Sequence, residues 1–290
     1  MNIERILVAV DSPDGRDAAF NSGLALASSS GAELYVLHAV PVDQSFSSRG
    51  AGRLLQTTDL RRRAEEAGVR VHTVEQHGDA ADIIDLHADA WAADLIVLGG
   101  EAQRGWSRDR GSIAAAVIRR TTVPTLVVPS DAPETSTDFG HVLVALDLSP
   151  ASEDVLRDAI RLTAPRAERL TVMHTVKALE AADAGRSPAR WKVPEFRTHV
   201  LDDARRTLAR IVSSVPASVD ARVHVAAGSA ARTILEHAGE IAADLIVVGR
   251  RRGFTLLGST ALRLLRKNDR ALLVIPSAAR TRQIERQHAA

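Results

Sequence analysis

The sequence predicts an α/β fold of two tandem domains, each a doubly wound, five-stranded parallel sheet flanked by helices. Short apolar runs that suit buried strands alternate with longer segments of helical spacing, as in parallel sheets covered on both faces. The same succession of segments occurs twice along 290 residues, a length that accommodates two domains. We predict domains at 1–130 and 140–277, a linker at 131–139 and a polar tail at 278–290.

The first copy shows the expected alternation of elements. The apolar run at 3–10 predicts a strand, and Ser12 with Pro13 behind it suits the N-cap and first position of a helix over about 13–29. Further strands are predicted at 34–40, 69–74, 94–98 and 124–128. Further helices are predicted at about 53–67, 79–92 and 112–120, with an exposed loop at 43–52.

The second copy matches the first at nearly constant offsets. The run Ala243-Asp-Leu-Ile-Val-Val-Gly249 repeats residues 93–99 at an offset of 150. Earlier matches lie at an offset of 136, so about 14 residues are inserted in the second copy. We place the insertion at 177–197, where Trp191 and Phe196 indicate either a packed segment or a lid over a cleft.

Composition excludes several classes of function. The chain contains no cysteine, which removes disulfides, thiolate catalysis and cysteine-based metal sites. Lys and Arg (37) nearly balance Asp and Glu (36), and aromatic residues make up only 3%, so nucleic acid is not the expected partner. No apolar run approaches the ~18 residues of a membrane span, and the N-terminus does not resemble a signal peptide. We therefore expect a cytoplasmic protein without membrane partners.

The combined order of short motifs resembles the universal stress protein family in its tandem form. Each copy has a strand followed by Asp, a strand ending in His, a Gly-Asp or Gly-Ser helix start, Ala-Asp-Leu-Ile-Val-x-Gly, a later Gly-Ser, and an apolar run closed by Pro. The resemblance implies a Rossmann-like sheet of strand order 3-2-1-4-5 in each domain. Because that order reverses between strands 1 and 4, the loops after those strands flank the crevice where such sheets bind ligands.

The resemblance also implies a regulatory role in stress responses and ATP or a related nucleotide as ligand, with Mg²⁺ as its companion ion. Members that hold ATP share a loop of the form Gly-x2-Gly-x9-Gly-Ser/Thr, whose glycines let the backbone approach phosphate. The first copy keeps part of this loop, with Ala at the second glycine position: Gly99, Ala102, Gly111 and Ser112. The second copy has Arg at that position: Gly249, Arg252, Gly258, Ser259 and Thr260.

Both loops depart from the family pattern. The first is one residue short, and Asp109 brings a negative charge into it, whereas the second is four residues short. The run Arg250 to Arg252 either engages phosphate or is a solvated face. Two functions therefore stay open: a regulator that binds nucleotide in at least one crevice, and an interaction scaffold whose sites have degenerated.

Four further positions are candidates for the nucleotide sites. Asp11 and Asp147 follow strand 1 of each copy, where the resemblance implies contact with the sugar and base of the nucleotide. The alternative for both is a carboxylate that caps a helix or belongs to a loop. Ala39 and Thr175 match the position whose backbone contacts adenine in the family.

Two duplicated pairs favour structural roles. Asp94 and Asp244 start strand 4 of each copy, away from the predicted crevice. His38 and His174 end strand 2 and suit hydrogen-bonded histidines better than ligands or bases.

The sequence contains few motifs that are typical of enzymes. The chain has no Gly-x-Ser-x-Gly elbow, no Walker-type loop and no His-x-x-x-His pair. We therefore expect no catalytic or metal-binding residues and at most slow ATP hydrolysis. The resemblance implies that the last strands, 125–128 and 272–275, pair within the chain as a pseudo-dimer, with a further homodimer and unknown protein partners left open.

Overall fold

The structure is a computed structural model that describes residues 3–10, 17–40, 50–100, 113–129, 139–163, 167–177, 194–250 and 258–277. Its strands are β1 (Arg5–Val10), β2 (Glu33–Val40), β3 (Val71–His77), β4 (Leu95–Gly100), β5 (Thr125–Pro129), β6 (His141–Ala145), β7 (Arg169–Val176), β8 (Asp220–Ala227), β9 (Leu245–Arg250) and β10 (Ala271–Pro276). Its helices are α1 (Ala18–Ser30), α2 (Gly50–Glu66), α3 (Ala80–Ala90), α4 (Ile113–Arg120), α5 (Ser152–Thr163), α6 (Pro194–Val212), α7 (Ala230–Glu240) and α8 (Ser259–Lys267). We call β1–β5 with α1–α4 repeat one, and β6–β10 with α5–α8 repeat two.

The ten strands form one mixed sheet, in the order β3-β2-β1-β4-β5-β10-β9-β6-β7-β8. Neighbouring strands within each repeat are parallel. Each repeat therefore has the strand order 3-2-1-4-5 in its own count, which confirms the predicted fold. The repeats join where β5 and β10 pair antiparallel, with Leu272 opposite Val127. This is the pairing of last strands expected from the sequence, and it covers two apolar edges.

Apolar side chains alternate between the faces of the sheet and build a core layer on each. In β1, Ile6 and Val8 pack with Phe20 of α1 on one face, while Leu7 belongs to the core of the other. Helices α1, α2, α5 and α6 cover the first face, and α3, α4, α7 and α8 cover the second. Both layers contain residues of both repeats, so burial of apolar surface holds the repeats together.

Helix α1 begins later than predicted. Its N-cap is Asp17, not Ser12: the carboxylate Oδ1 of Asp17 accepts hydrogen bonds from the amides of Ala19 (2.8 Å) and Phe20 (3.3 Å). These bonds satisfy the first amides of the helix, so the helix starts at Ala18. The predicted N-cap was wrong because Asp17 caps the helix one turn downstream of Ser12 and Pro13, and residues 11–16 lie outside the described residues.

Three other boundaries differ from the sequence prediction. Strand β3 spans Val71–His77 rather than 69–74, since it pairs residue by residue with β2 from Leu34 to Val40. Helix α2 begins at Gly50, inside the predicted loop. Helix α6 begins at Pro194 and includes Phe196, whereas Trp191 lies outside the described residues.

The duplicated aspartates at the start of β4 and β9 hold neighbouring strands, as predicted. Oδ2 of Asp94 accepts hydrogen bonds from the amides of Glu4 (3.0 Å) and Arg5 (3.1 Å). Oδ2 of Asp244 accepts one from the amide of His141 at 2.8 Å. Each carboxylate thus fixes the start of its repeat's first strand. Within the described ranges, no helix combines the length and apolar character needed to cross a bilayer.

Candidate functional site

A cavity of about 850 Å³ opens in repeat two at the carboxyl ends of β6, β7 and β9. Strand β6 lies between β7 and β9, so the cavity sits where the chain order of the sheet reverses. Open α/β sheets bind ligands at this point, and the volume is in the range of small-molecule sites. The lining residues used below are Asp147, Ser149, Ser152, Val155, Met173, His174, Thr175, Lys177, Ile234, Val248, Gly249, Arg250, Gly258, Ser259, Thr260 and Ser277.

Asp147 is held at the cavity wall by the turn that follows β6. Its Oδ1 accepts a hydrogen bond from the amide of Ser149 at 2.9 Å and one from the hydroxyl of Ser152 at 3.3 Å. Ser152 is the first residue of α5 and is buried. The carboxylate therefore stabilises the turn before α5, as a loop carboxylate does, while Asp147 is exposed and borders the cavity.

The N-terminus of α8 also lines the cavity. The N-cap of this helix is Gly258, which has no side chain to occupy the first amides. Ser259 and Thr260 follow and line the cavity with their neighbours. A helix N-terminus carries a partial positive charge and free amide groups, which suits an anionic group of a ligand.

A further part of the lining is apolar, and we call it the apolar floor. Val155, Met173, Ile234 and Val248 line it and are almost completely buried. Gly249 completes this surface: a Cβ at this position would lie 3.0 Å from Cγ2 of Val155. The missing side chain lets β9 and α5 approach closely, and it leaves a smooth apolar surface for a flat or apolar part of a ligand.

The end of β7 contributes a fixed histidine and a lysine. The ring of His174 donates through Nδ1 to the carbonyl of Leu146 at 2.8 Å, which satisfies this nitrogen as expected for a structural histidine. Its counterpart His38 is buried beside Glu75, with Nδ1 3.5 Å from Oε2. Lys177 follows β7 and is exposed at the cavity, so it supplies a cation there.

The predicted residues of repeat two come together in this cavity. Six of them line it: Asp147, Thr175, Gly249, Gly258, Ser259 and Thr260. The seventh, Arg252, lies outside the described residues.

Repeat one is described only in part at the equivalent place. Ala39 and Gly99 lie near the carboxyl ends of β2 and β4, where the prediction puts them. The other predicted residues lie outside the described residues: Asp11, Ala102, Gly111 and Ser112. The first crevice therefore stays a prediction.

Arg250 does not have either of the roles considered for the arginine run. Its side chain is buried, and its guanidinium donates to carbonyls of repeat one: Nη1 to Arg119 at 3.3 Å and Nη2 to Thr121 at 2.5 Å. It is thus neither a solvated charge nor aimed at a ligand phosphate. The prediction was wrong for Arg250 because β9 extends through it and places it beside the end of α4.

Several residues of the cavity were not among the site residues predicted from the sequence. Lys177 could have been noticed because the two copies differ at this position: the equivalent residue of repeat one, 136 residues earlier, is the uncharged Pro41. Ser149 and Ser152 could also have been noticed, because they follow Asp147 at a spacing typical of the turn that begins a helix. Within the described part of the chain, no group of three or more His, Asp or Glu side chains is placed to hold a metal ion.

Comparison with known proteins assigns the family. The sequence profile of the Universal stress protein family matches residues 2–129 and again 138–276. The chain therefore belongs to the universal stress protein family, and it contains two copies of the family's unit.

Individual relatives agree with this assignment. Universal stress protein A homolog 1 of Coxiella burnetii is 31% identical over 111 residues, which are 38% of this chain and 76% of that protein. Universal stress protein MJ0531 of Methanocaldococcus jannaschii is 29% identical over 138 residues, covering 43% of this chain and 81% of that protein. A universal stress protein of Archaeoglobus fulgidus shares the fold over 94% of this chain and 96% of its own, with a TM-score of 0.67 and 18% identity.

Proposed function

We propose that this protein is a stress-response regulator that binds ATP or a related nucleotide in the cavity of repeat two. The observation that carries the proposal is the cavity itself, which is lined by a carboxylate, a helix N-terminus and an apolar floor. A nucleotide has the matching parts: hydroxyls, phosphates and a flat base. We further propose that 1–130 and 140–277 are the two domains of this regulator.

Different residues of the cavity are proposed to contact the sugar, the base and the phosphates. Asp147 accepts hydrogen bonds from the sugar, and the apolar floor packs against the base. The amides of α8 and the hydroxyls of Ser259 and Thr260 receive the phosphates. Lys177 neutralises part of the phosphate charge. Mg²⁺ would accompany the phosphates, and hydroxyl oxygens are ligands that it accepts.

Titration of the full-length protein with ATP in a calorimeter tests this function. We expect saturable binding in the micromolar range or tighter. Replacing Lys177 by Met is expected to weaken ATP about tenfold, since a charge-assisted contact contributes about 1.5 kcal/mol. Lys267→Met is the matched control, because Lys267 is exposed in the last turn of α8, at the opposite end of that helix from the cavity.

Two results would speak against the proposal. Absence of saturable binding up to millimolar ATP would leave the scaffold function in its place. Equal loss of affinity in Lys177→Met and Lys267→Met would show only a general effect of charge, and the cavity would lose its assignment. The scaffold has one observation in its favour, since Arg250 serves the contact between repeats and not the ligand.

A further inference from the structure

We propose that Arg250 links the cavity of repeat two to repeat one, so that binding in the cavity changes the stability of α4. The proposal rests on the proposed function for the identity of the ligand, although the link itself is a property of the free protein. Its basis is a residue that belongs to the cavity wall through its backbone strand and to the other repeat through its side chain.

The side chain of Arg250 closes the C-terminal end of α4. Its two terminal nitrogens donate to the carbonyls of Arg119 and Thr121, which lie 131 and 129 residues away in the chain. The last carbonyls of a helix lack partners within the helix and carry its partial negative charge. A buried guanidinium that spans two of them therefore holds this end of α4 strongly, and loss of the contact frees the end.

The backbone of Arg250 belongs to the cavity wall. In the register of β9 and β10 it lies opposite Pro276, and its carbonyl accepts a hydrogen bond from the amide of Ser277 at 2.8 Å. Both Arg250 and Ser277 line the cavity, as does the preceding Gly249. A ligand that orders or shifts this wall therefore acts on the residue that holds α4.

Repeat one cannot make the equivalent contact to repeat two through the residue that corresponds to Arg250. The equivalent residue of repeat one is Gly100, at the end of β4, which has no side chain to reach α8. Repeat one also lacks room for one, because a Cβ at Gly100 would lie 3.2 Å from Cγ1 of Val127 and 3.3 Å from the carbonyl oxygen of Val128. The duplication has thus become asymmetric at this position.

In the sequence, helix α4 adjoins the predicted crevice of repeat one. It spans Ile113–Arg120, about 12 Å from end to end. In the sequence it starts directly after Gly111 and Ser112, the predicted helix start of the first crevice. Because α4 is short, holding or freeing its last turn changes the local stability of its first turn as well.

Hydrogen–deuterium exchange of the full-length protein, read by mass spectrometry, tests the link. In the unmodified protein we expect saturating ATP to slow exchange about fivefold in both the first turn of α8 and residues 113–120. In Arg250→Met the response of α8 should remain, and that of α4 should disappear. Arg222→Met is the control and should behave like the unmodified protein, because Arg222 is exposed on β8 and pairs with Asp220. An α4 response that persists in Arg250→Met would overturn the proposal.

A second experiment needs no ligand. In Gly249→Ala the new Cβ presses on Val155, and we expect exchange in α4 to rise about threefold. The same substitution in the Arg250→Met background should leave α4 exchange unchanged, and equal rises in both backgrounds would refute the link. If Arg250→Met does not fold, Arg250→Lys replaces it, since lysine keeps the charge but does not span two carbonyls. Failure of ATP to protect α8 would contradict only the proposed function, and the ligand-free comparison would still decide this inference.

Discussion

Substitution of Asp147 separates its structural role from its proposed contact with the nucleotide. Asparagine keeps an oxygen at the position of Oδ1 and can still accept from the amide of Ser149 and the hydroxyl of Ser152. Alanine keeps neither bond. The two variants therefore differ in the turn into α5, while both lack the carboxylate charge.

The structure sets the expected magnitudes. A hydrogen bond within a protein contributes about 0.5–1.5 kcal/mol to stability. Asp147 is exposed, so we expect a loss of about 1 kcal/mol in the free energy of unfolding for Asp147→Ala, and less than about 0.5 kcal/mol for Asp147→Asn. For ATP we expect both variants to weaken binding about tenfold, because a hydrogen bond from a sugar hydroxyl to a charged acceptor is worth about 1.5 kcal/mol.

Urea denaturation and calorimetric titration of the same preparations check both numbers. Full affinity in Asp147→Asn would remove the carboxylate from the proposed site and leave only its role in the turn before α5. Equal destabilisation of both variants would contradict the hydrogen-bond geometry of the turn. Thr175→Val serves as a control in the cavity, since only the backbone at that position is expected to contact the base.

Two further predictions concern the scaffold of the sheet. A Cβ added at Gly23 would overlap Val8, so Gly23→Ala should cost about 1–2 kcal/mol of stability despite the better helix propensity of alanine. In the Val8→Ala background the same substitution should cost clearly less, and an equal cost in both backgrounds would contradict this packing. His141 is hydrogen-bonded at both nitrogens, and burial, then the charge of Arg169, lower its pKa. The fold therefore favours neutral His141, so urea midpoints should fall as the pH drops below the ordinary value of 6.5, and less so in His141→Asn; an equal fall would refute this assignment.

The architecture was predictable because it rests on patterns that are local and repeated. Buried strands such as β4 and β9 are visible in the sequence as short apolar runs. The nearly constant spacing between matching motifs shows the duplication without any tertiary information. The strand order came from the family resemblance. The polar residues at strand ends were predictable for the same reason, since parallel strands bring their carboxyl ends to one edge of the sheet.

Other features depend on contacts that the local sequence does not contain. Arg250 sits in a run of three arginines that favours solvent or phosphate, yet its partners are carbonyls about 130 residues earlier in the chain. The start of α1 was misplaced because Ser12 with Pro13 and Asp17 are both acceptable helix starts, and local propensity does not choose between them. The close approach at Gly23 depends on the distance between α1 and β1, which packing decides.

A crystal structure of the full-length protein grown with ATP tests the central claim most directly. We expect nucleotide density in the cavity of repeat two, with phosphates at the first turn of α8 and the sugar beside Asp147. Density for ATP elsewhere, or a cavity filled only by water at millimolar ATP, would contradict it.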